Sequence, residues 1–248
     1  MRATVSLGQA MYTPGDITLR NPPHDDRPYA GWLYGAIGLI AKTDKTLDQL
    51  QLQVGVVGPA ALGEQAQTYV HEVIDSPRPR GWSKQLHNEP GVVLTYQHSW
   101  HALTVGDDQG LALDVTPHIG GAIGNVFTYA NAGATVRLGW NLPDDYGPPR
   151  IQPGLPGNGY FANHGDLGFY VFAGFDGRLV GRNIFLDGNT YGASRSVDKR
   201  VLVGDMQVGA ALTWDRFRLA YTHVFRSEEF ENQGGEDAFG AVSLTVRF

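Results

Sequence analysis

Gln67 and His71 stand four residues apart in a helix-forming stretch, a spacing that places both on one helix face. Gly63 lies one turn earlier on that face, where something can approach closely, and Asp75 extends it one turn later. Histidine has the side chain whose ordinary pKa lies nearest neutral pH. His71, held beside a protein wall and near a carboxylate, is therefore suited to act as a general base, with Gln67 beside it. The alternative is the solvated polar face of an amphipathic helix. His71 is followed by Glu72, but no second histidine stands four residues away, so the zincin pattern is absent. The other histidines do not cluster at metal-ligand spacing, and no Gly-x-Ser-x-Gly elbow occurs.

A second group lies in the loop Asn21-Pro-Pro-His-Asp-Asp-Arg-Pro-Tyr-Ala-Gly31. Asp25 and Asp26, with Asn21 nearby, offer the hard oxygens that Ca²⁺ prefers. Arg20 and Arg27 offer planar guanidinium groups that bind phosphate in two-point fashion. An ordinary proline-rich turn is the alternative. Gly120-Gly121-Ala122-Ile123-Gly124 lacks the Lys-Ser/Thr of a phosphate loop and lies within a strand pattern. It reads as small residues where a sheet approaches the helix.

The elements that position these groups are almost all strands. Alternation and turn signals mark ten, at roughly 2–13, 29–41, 49–58, 91–105, 110–123, 127–140, 166–180, 201–214, 216–226 and 238–248. Several are as long as the roughly 9–11 tilted residues that cross a bilayer. The connectors at 42–48, 106–109, 125 and 215 are short, and those at 14–28, 59–90, 141–165, 181–200 and 227–237 are long. Short turns at one end and long loops at the other mark a membrane β-barrel, although the break at 125 interrupts strict alternation. The last strand puts Gly240, Val242, Leu244, Val246 and Phe248 on one face and Ala241, Ser243, Thr245 and Arg247 on the other. Leu202, Met206, Val208, Ala210, Leu212 and Trp214 form an outward stripe, and Phe217, Leu219 and Tyr221 form another. Trp32, Tyr34, Trp100, Trp140, Trp214 and Phe248 are placed as an aromatic girdle would be.

The exception is 59–76, where Pro59 suits a first helical turn and Ala, Leu, Glu and Gln follow. Leu62, Ala66, Val70 and Ile74 make its apolar stripe, and Pro77-Arg78-Pro79 ends it. Such a helix is expected to lie against or inside the barrel.

Composition sets the bounds. The 248 residues include 33 Gly, carry a net charge of -6 and contain no Cys. Nucleic acid is thus excluded as a partner, as are disulfides and thiolate catalysis. Mean hydropathy is -0.23 and no window approaches the roughly 20 apolar residues of a spanning helix, so membrane residence requires a barrel. A soluble barrel or sandwich, or a non-catalytic membrane barrel such as a small pore, stays open on these grounds.

Four ordered blocks then point one way. They are Asp26-Arg-Pro-Tyr-Ala-Gly-Trp-Leu-Tyr34, Val56-Val-Gly-Pro-Ala-Ala-Leu-Gly-Glu-Gln-Ala-Gln-Thr-Tyr-Val-His71, Gly81-Trp-Ser-Lys-Gln-Leu-His-Asn-Glu-Pro90 and Gly121–Arg137. Together they make the chain resemble the outer-membrane lipid A 3'-O-deacylase family (LpxR-type) along its whole length. The resemblance implies an all-β, antiparallel outer-membrane barrel, twelve-stranded in the family and about ten-stranded here. It places one helix against the barrel near 60–75 and the active site between wall and helix, at the outer leaflet. It implies lipid A as substrate and Ca²⁺-dependent release of the 3'-acyloxyacyl group, with His71 matching the catalytic base and Arg20 a basic residue of the first long loop. The family's Asn-Asp pair and its Thr or Ser, on its first two strands, have no counterpart here. The chain starts where the third strand would, so an N-terminally incomplete barrel, or an inactive family member, is expected. A family Glu aligns with Pro77, which leaves Asp75 as the substitute Ca²⁺ partner.

Overall fold

The computed structural model describes residues 1–107, 110–143, 146 and 167–246, and eleven strands organise these described residues. The strands are β1 (Arg2–Tyr12), β2 (Ala30–Lys42), β3 (Thr46–Val57), β4 (Glu89–Trp100), β5 (Leu103–Gly106), β6 (Leu111–Gly124), β7 (Phe127–Trp140), β8 (Gly168–Asn183), β9 (Leu202–Trp214), β10 (Phe217–Arg226) and β11 (Asp237–Val246). Among the described residues every pairing is antiparallel and the sheet order is β1-β2-β3-β4-β6-β7-β8-β9-β10-β11, with short β5 pairing only β6. Among the described residues β1 pairs only with β2 and β11 only with β10, so the sheet is a curled half-barrel with two strand edges. No described helix is long and apolar enough to cross a membrane.

The two faces of this sheet are inverted relative to a protein folded in water. The outward positions carry Ile37, Leu39, Leu50, Leu52, Val92, Leu94, Ile119, Ile123, Phe169, Phe175, Leu219, Val242 and Leu244, all exposed. The inward positions carry charge. Asp114 pairs with Arg137, Asp176 receives His118 and Asn131, and Asp205 accepts from both Arg178 and Arg226. These groups are buried, and their pairing is what makes that burial tolerable. Short α2 (Ile184–Asp187) dips into one mouth, where Ile184, Phe185 and Leu186 are buried and Phe185 stacks on Tyr12 at 3.9 Å.

The long connectors 13–29, 58–88, 184–201 and 227–236 leave from that same end. The turns 43–45 and 215–216 leave from the other. Two connectors trade places against the expected alternation. The link at 125–126 closes β6 to β7 at the long-loop end, and the connector after Trp140 leaves from the short-turn end. Asn125 makes the tight link possible: its side chain accepts from Val92 N and donates to Glu89 and Pro90, continuing the ladder toward β4.

Three sequence expectations need correction. Trp32 and Tyr34 do not belong to a girdle; they share the parity of Ala10 and Val57, face inward, and stack at 5.4 Å. Trp100, Trp140, Trp214 and Phe217 do lie at outward positions of the short-turn end, while Phe248 lies outside the described residues. The run at 91–105 is broken after Trp100, because β4 pairs β6 only from Val93 to Ser99 and the chain steps across at His101 and Ala102 to form β5. Gly120 and Gly121 do not meet the helix: a Cβ on either would strike neighbouring strands, at Tyr96 O and Tyr129 O.

Candidate active site

Helix α1 (Gly63–Val73) is assembled by two left-handed residues, one at each end. Pro59 opens a single 3₁₀ turn, Leu62 adopts φ 58°, and the chain re-enters as α1. At the far end Asp75 adopts φ 52°, the Ile74 amide bonds Val70 O, and the Ser76 amide reaches back to His71 O at 2.8 Å. A left-handed residue followed by that backward bond is the Schellman stop. It folds the chain over the last turn, so that the Pro77 carbonyl lies 2.7 Å from His71 Nδ1. A carbonyl can only accept, so Nδ1 carries the proton, and in the neutral ring Nε2 keeps its lone pair.

The helix lies on the outer wall of the sheet. Gln9 occupies an outward position of β1, between exposed Leu7 and Met11, and donates to Ala61 O at 2.6 Å. Gly31, at an outward position of β2, packs on Gly63; a Cβ at Gly31 would lie 3.0 Å from Ala61 Cβ and 3.3 Å from Gly63 N. On its other side Gly63 meets Trp82, and a Cβ there would come within 2.7 Å of the indole. Trp82 is buried against Tyr29 and donates Nε1 to Gln67 Oε1 at 2.8 Å. That bond engages the Gln67 oxygen and leaves its amide nitrogen as the donor the side chain can offer.

The residues singled out in the sequence fall into two groups. Gln67, His71 and Asp75 come together on and just beyond α1, with His71 half-buried and Asp75 exposed. Asp26 belongs to the other group and is used internally: Oδ2 accepts from Gly15 N and Oδ1 from Arg27 N. Arg27 is committed to Glu229 at 2.6 Å, with its guanidinium near the Tyr12 and Phe230 rings. Arg20 is exposed in the connector from β1 to β2, which the Arg80 amide joins by bonding Ile17 O. Ca²⁺ takes 6–8 oxygens, and among the described residues no three His, Asp or Glu side chains converge to begin such a set. Of the two carboxylates expected to hold the ion, Asp75 stands at the helix end and Asp26 in the connector from β1 to β2.

The chain matches the family described as "Outer membrane protein LpxR" over residues 1–248. It belongs to the LpxR family. Among solved structures it is similar to LpxR from Salmonella typhimurium, with a TM-score of 0.85, 22% identity, and coverage of 99% of this chain and 83% of that one. At that identity the likeness is one of fold. No curated protein matches the chain. Membership in the LpxR family makes this an outer-membrane protein, and the exposed apolar wall is the surface that meets lipid. The LpxR-type helix is held by groups that spacing alone does not reveal. Gln9, Gly31 and Trp82 lie 52, about 30 and 15 residues from their partners in the 3₁₀ turn and helix, and no local spacing rule links them.

Proposed function

We propose that this chain is a lipid A deacylase that hydrolyses the ester of the 3'-acyloxyacyl group, with His71 as general base on water. The observation that carries the reading is the oriented imidazole of His71 on a helix lying against the lipid-facing wall. The long-loop end then faces outside, as in outer-membrane barrels generally. Lipid A reaches His71 sideways from the leaflet. Nε2 takes a proton from water as the hydroxide oxygen bonds the ester carbon. The carbon–oxygen bond to the sugar breaks, and the sugar oxygen receives the proton from His71. The Gln67 amide donates to the oxyanion. Arg20, exposed on the loop above, meets a lipid A phosphate. Ca²⁺ dependence is part of the same reading and rests on the family resemblance; when bound, the ion would polarise the ester carbonyl.

Mass spectrometry of lipid A incubated with detergent-refolded chain tests this, with Ca²⁺ or chelator and beside His71→Ala. Wild type is expected to release the 3'-acyloxyacyl mass, and His71→Ala to lower that rate by about a hundredfold or more. Intact lipid A from folded wild type, or full activity in His71→Ala, would remove the proposal. Activity indifferent to chelator would remove Ca²⁺ from it.

A further inference from the structure

Much of helix α1 is left exposed by the described residues. Gly63 lies toward the wall and Trp82, and Gln67 toward Trp82. Leu62, Tyr69, Val70, Val73 and Ile74 are exposed at 51%, 69%, 47%, 67% and 63%. With 3.6 residues per turn Tyr69 and Val73 centre this stripe, Val70, Ile74 and half-buried Ala66 carry it round toward the Gly63 and Gln67 side, and Glu64, Gln65, Thr68 and Glu72 lie on the side opposite. A helix docked in water normally turns its apolar stripe toward the core. This one leaves its apolar stripe uncovered by the described residues, beside exposed Leu7 and Met11 of the lipid-facing wall on which it lies. Beyond its C-terminus Arg78, Arg80 and Lys84 are all exposed, and the Arg80–Ile17 backbone bond joins that segment to the connector holding Arg20.

We propose that α1 is an interfacial membrane helix. Its apolar stripe is immersed among the acyl chains of the outer leaflet, its acidic face meets water, and Arg78, Arg80 and Lys84 sit at the level of lipid phosphates. Two features commit the stripe to lipid rather than to a protein partner. It is continuous with a wall that already meets lipid, and a polar face lies directly opposite, the division of a helix lying in the interface plane. Tyr69, apolar in body and polar at its tip, suits that boundary. The inference rests on outer-membrane residence and not on the deacylase reading.

The chain has no cysteine, so a single introduced thiol can be labelled uniquely. Val73→Cys, Ile37→Cys on the sheet wall, Glu72→Cys on the polar face and Asp44→Cys in a short turn each receive an environment-sensitive fluorophore. Each is reconstituted in phosphatidylcholine vesicles containing a fraction of lipid brominated along the acyl chain, with folding verified by heat-modifiable gel migration. The Val73 label is expected to be quenched as strongly as the Ile37 label, and the Glu72 and Asp44 labels to be spared. Quenching at Val73 no stronger than at Asp44 overturns the proposal, whether the site proves bathed in water or covered by protein. Val70→Cys gives the same reading should Val73→Cys fail to fold. No hydrolysis enters the measurement, so a failed deacylase assay leaves its outcome unchanged.

Discussion

At His71 the decisive partner is a backbone carbonyl. Imidazoles are often oriented by a carboxylate; here Pro77 O does it, at 2.7 Å. The sequence made the pairing of Gln67 with His71 legible, because four-residue spacing is a local rule. It left Pro77 illegible, since a carbonyl has no side-chain signature and depends on Asp75 turning left-handed. The same scale holds the tightest steric condition in the site, the sandwich of Gly63 between Gly31 and Trp82. A methyl group at Gly63 cannot be placed without moving the helix or the indole. If the proposed deacylase function holds, Gly63→Ala is expected to lower the rate by about tenfold to a hundredfold through displaced geometry, while the sheet keeps its folded stability. Parallel activity and thermal-unfolding measurements separate the two, and an unaltered rate would show that the close contact is not needed.

Among the elements, strands were far more legible than what joins them. Period-2 alternation located ten strands to within a few residues, and erred chiefly at His101 and Ala102, where a pairing partner changes without any change in pattern. The contact that ties the first connector to the last is of another kind. Arg27 and Glu229 are 202 residues apart, and neither announces the other. Burial opposes ionisation of Glu229, but Arg27, Arg226 and Arg178 together outweigh it and draw the carboxyl down from 4.5 to about 2. A carboxyl depressed by folding stabilises the fold above its unfolded pKa, and that stabilisation drains away as pH falls toward the folded value. The loop pair is thus expected to lose roughly 3 kcal/mol between about pH 4.5 and 2. Denaturant unfolding over that range should show the loss. Glu229→Gln should already be destabilised at neutral pH and show a shallower acid limb, the remainder coming from Asp16, Asp48 and Glu89, which are also held below the usual carboxylate range. A wild-type acid limb that persists unchanged in Glu229→Gln would assign it to other carboxyls.

For the whole molecule, the interior decides whether a curled sheet of this size is a conduit. Outward apolarity was readable from alternation, because lipid imposes the same demand on every strand. What fills the inside was not, because it is made of pairs drawn from different strands. From the short-turn end upward the pairs run Asp114–Arg137, His118–Asp176–Asn131, and Arg178–Asp205–Arg226, and then Arg27–Glu229 at the rim. Above them Ile184, Phe185 and Leu186 of α2 close the mouth, with Phe185 stacked on Tyr12. Each carboxylate is held by a cation or an amide, so an ion entering the interior would have to displace a paired charge, and displacing one partner of a buried pair costs several kcal/mol. A water-filled pore lined by unpaired charges has no such barrier. The reconstituted chain is therefore expected to show no steady conductance in planar bilayers at neutral pH. Removing the aromatic lid with Phe185→Ala alone should leave it closed, because the ion pairs beneath remain. Sustained conductance steps in wild type would mean the interior opens in a membrane and would favour a pore. Steps appearing only in Phe185→Ala would place the barrier in α2 and not in the ladder of charges.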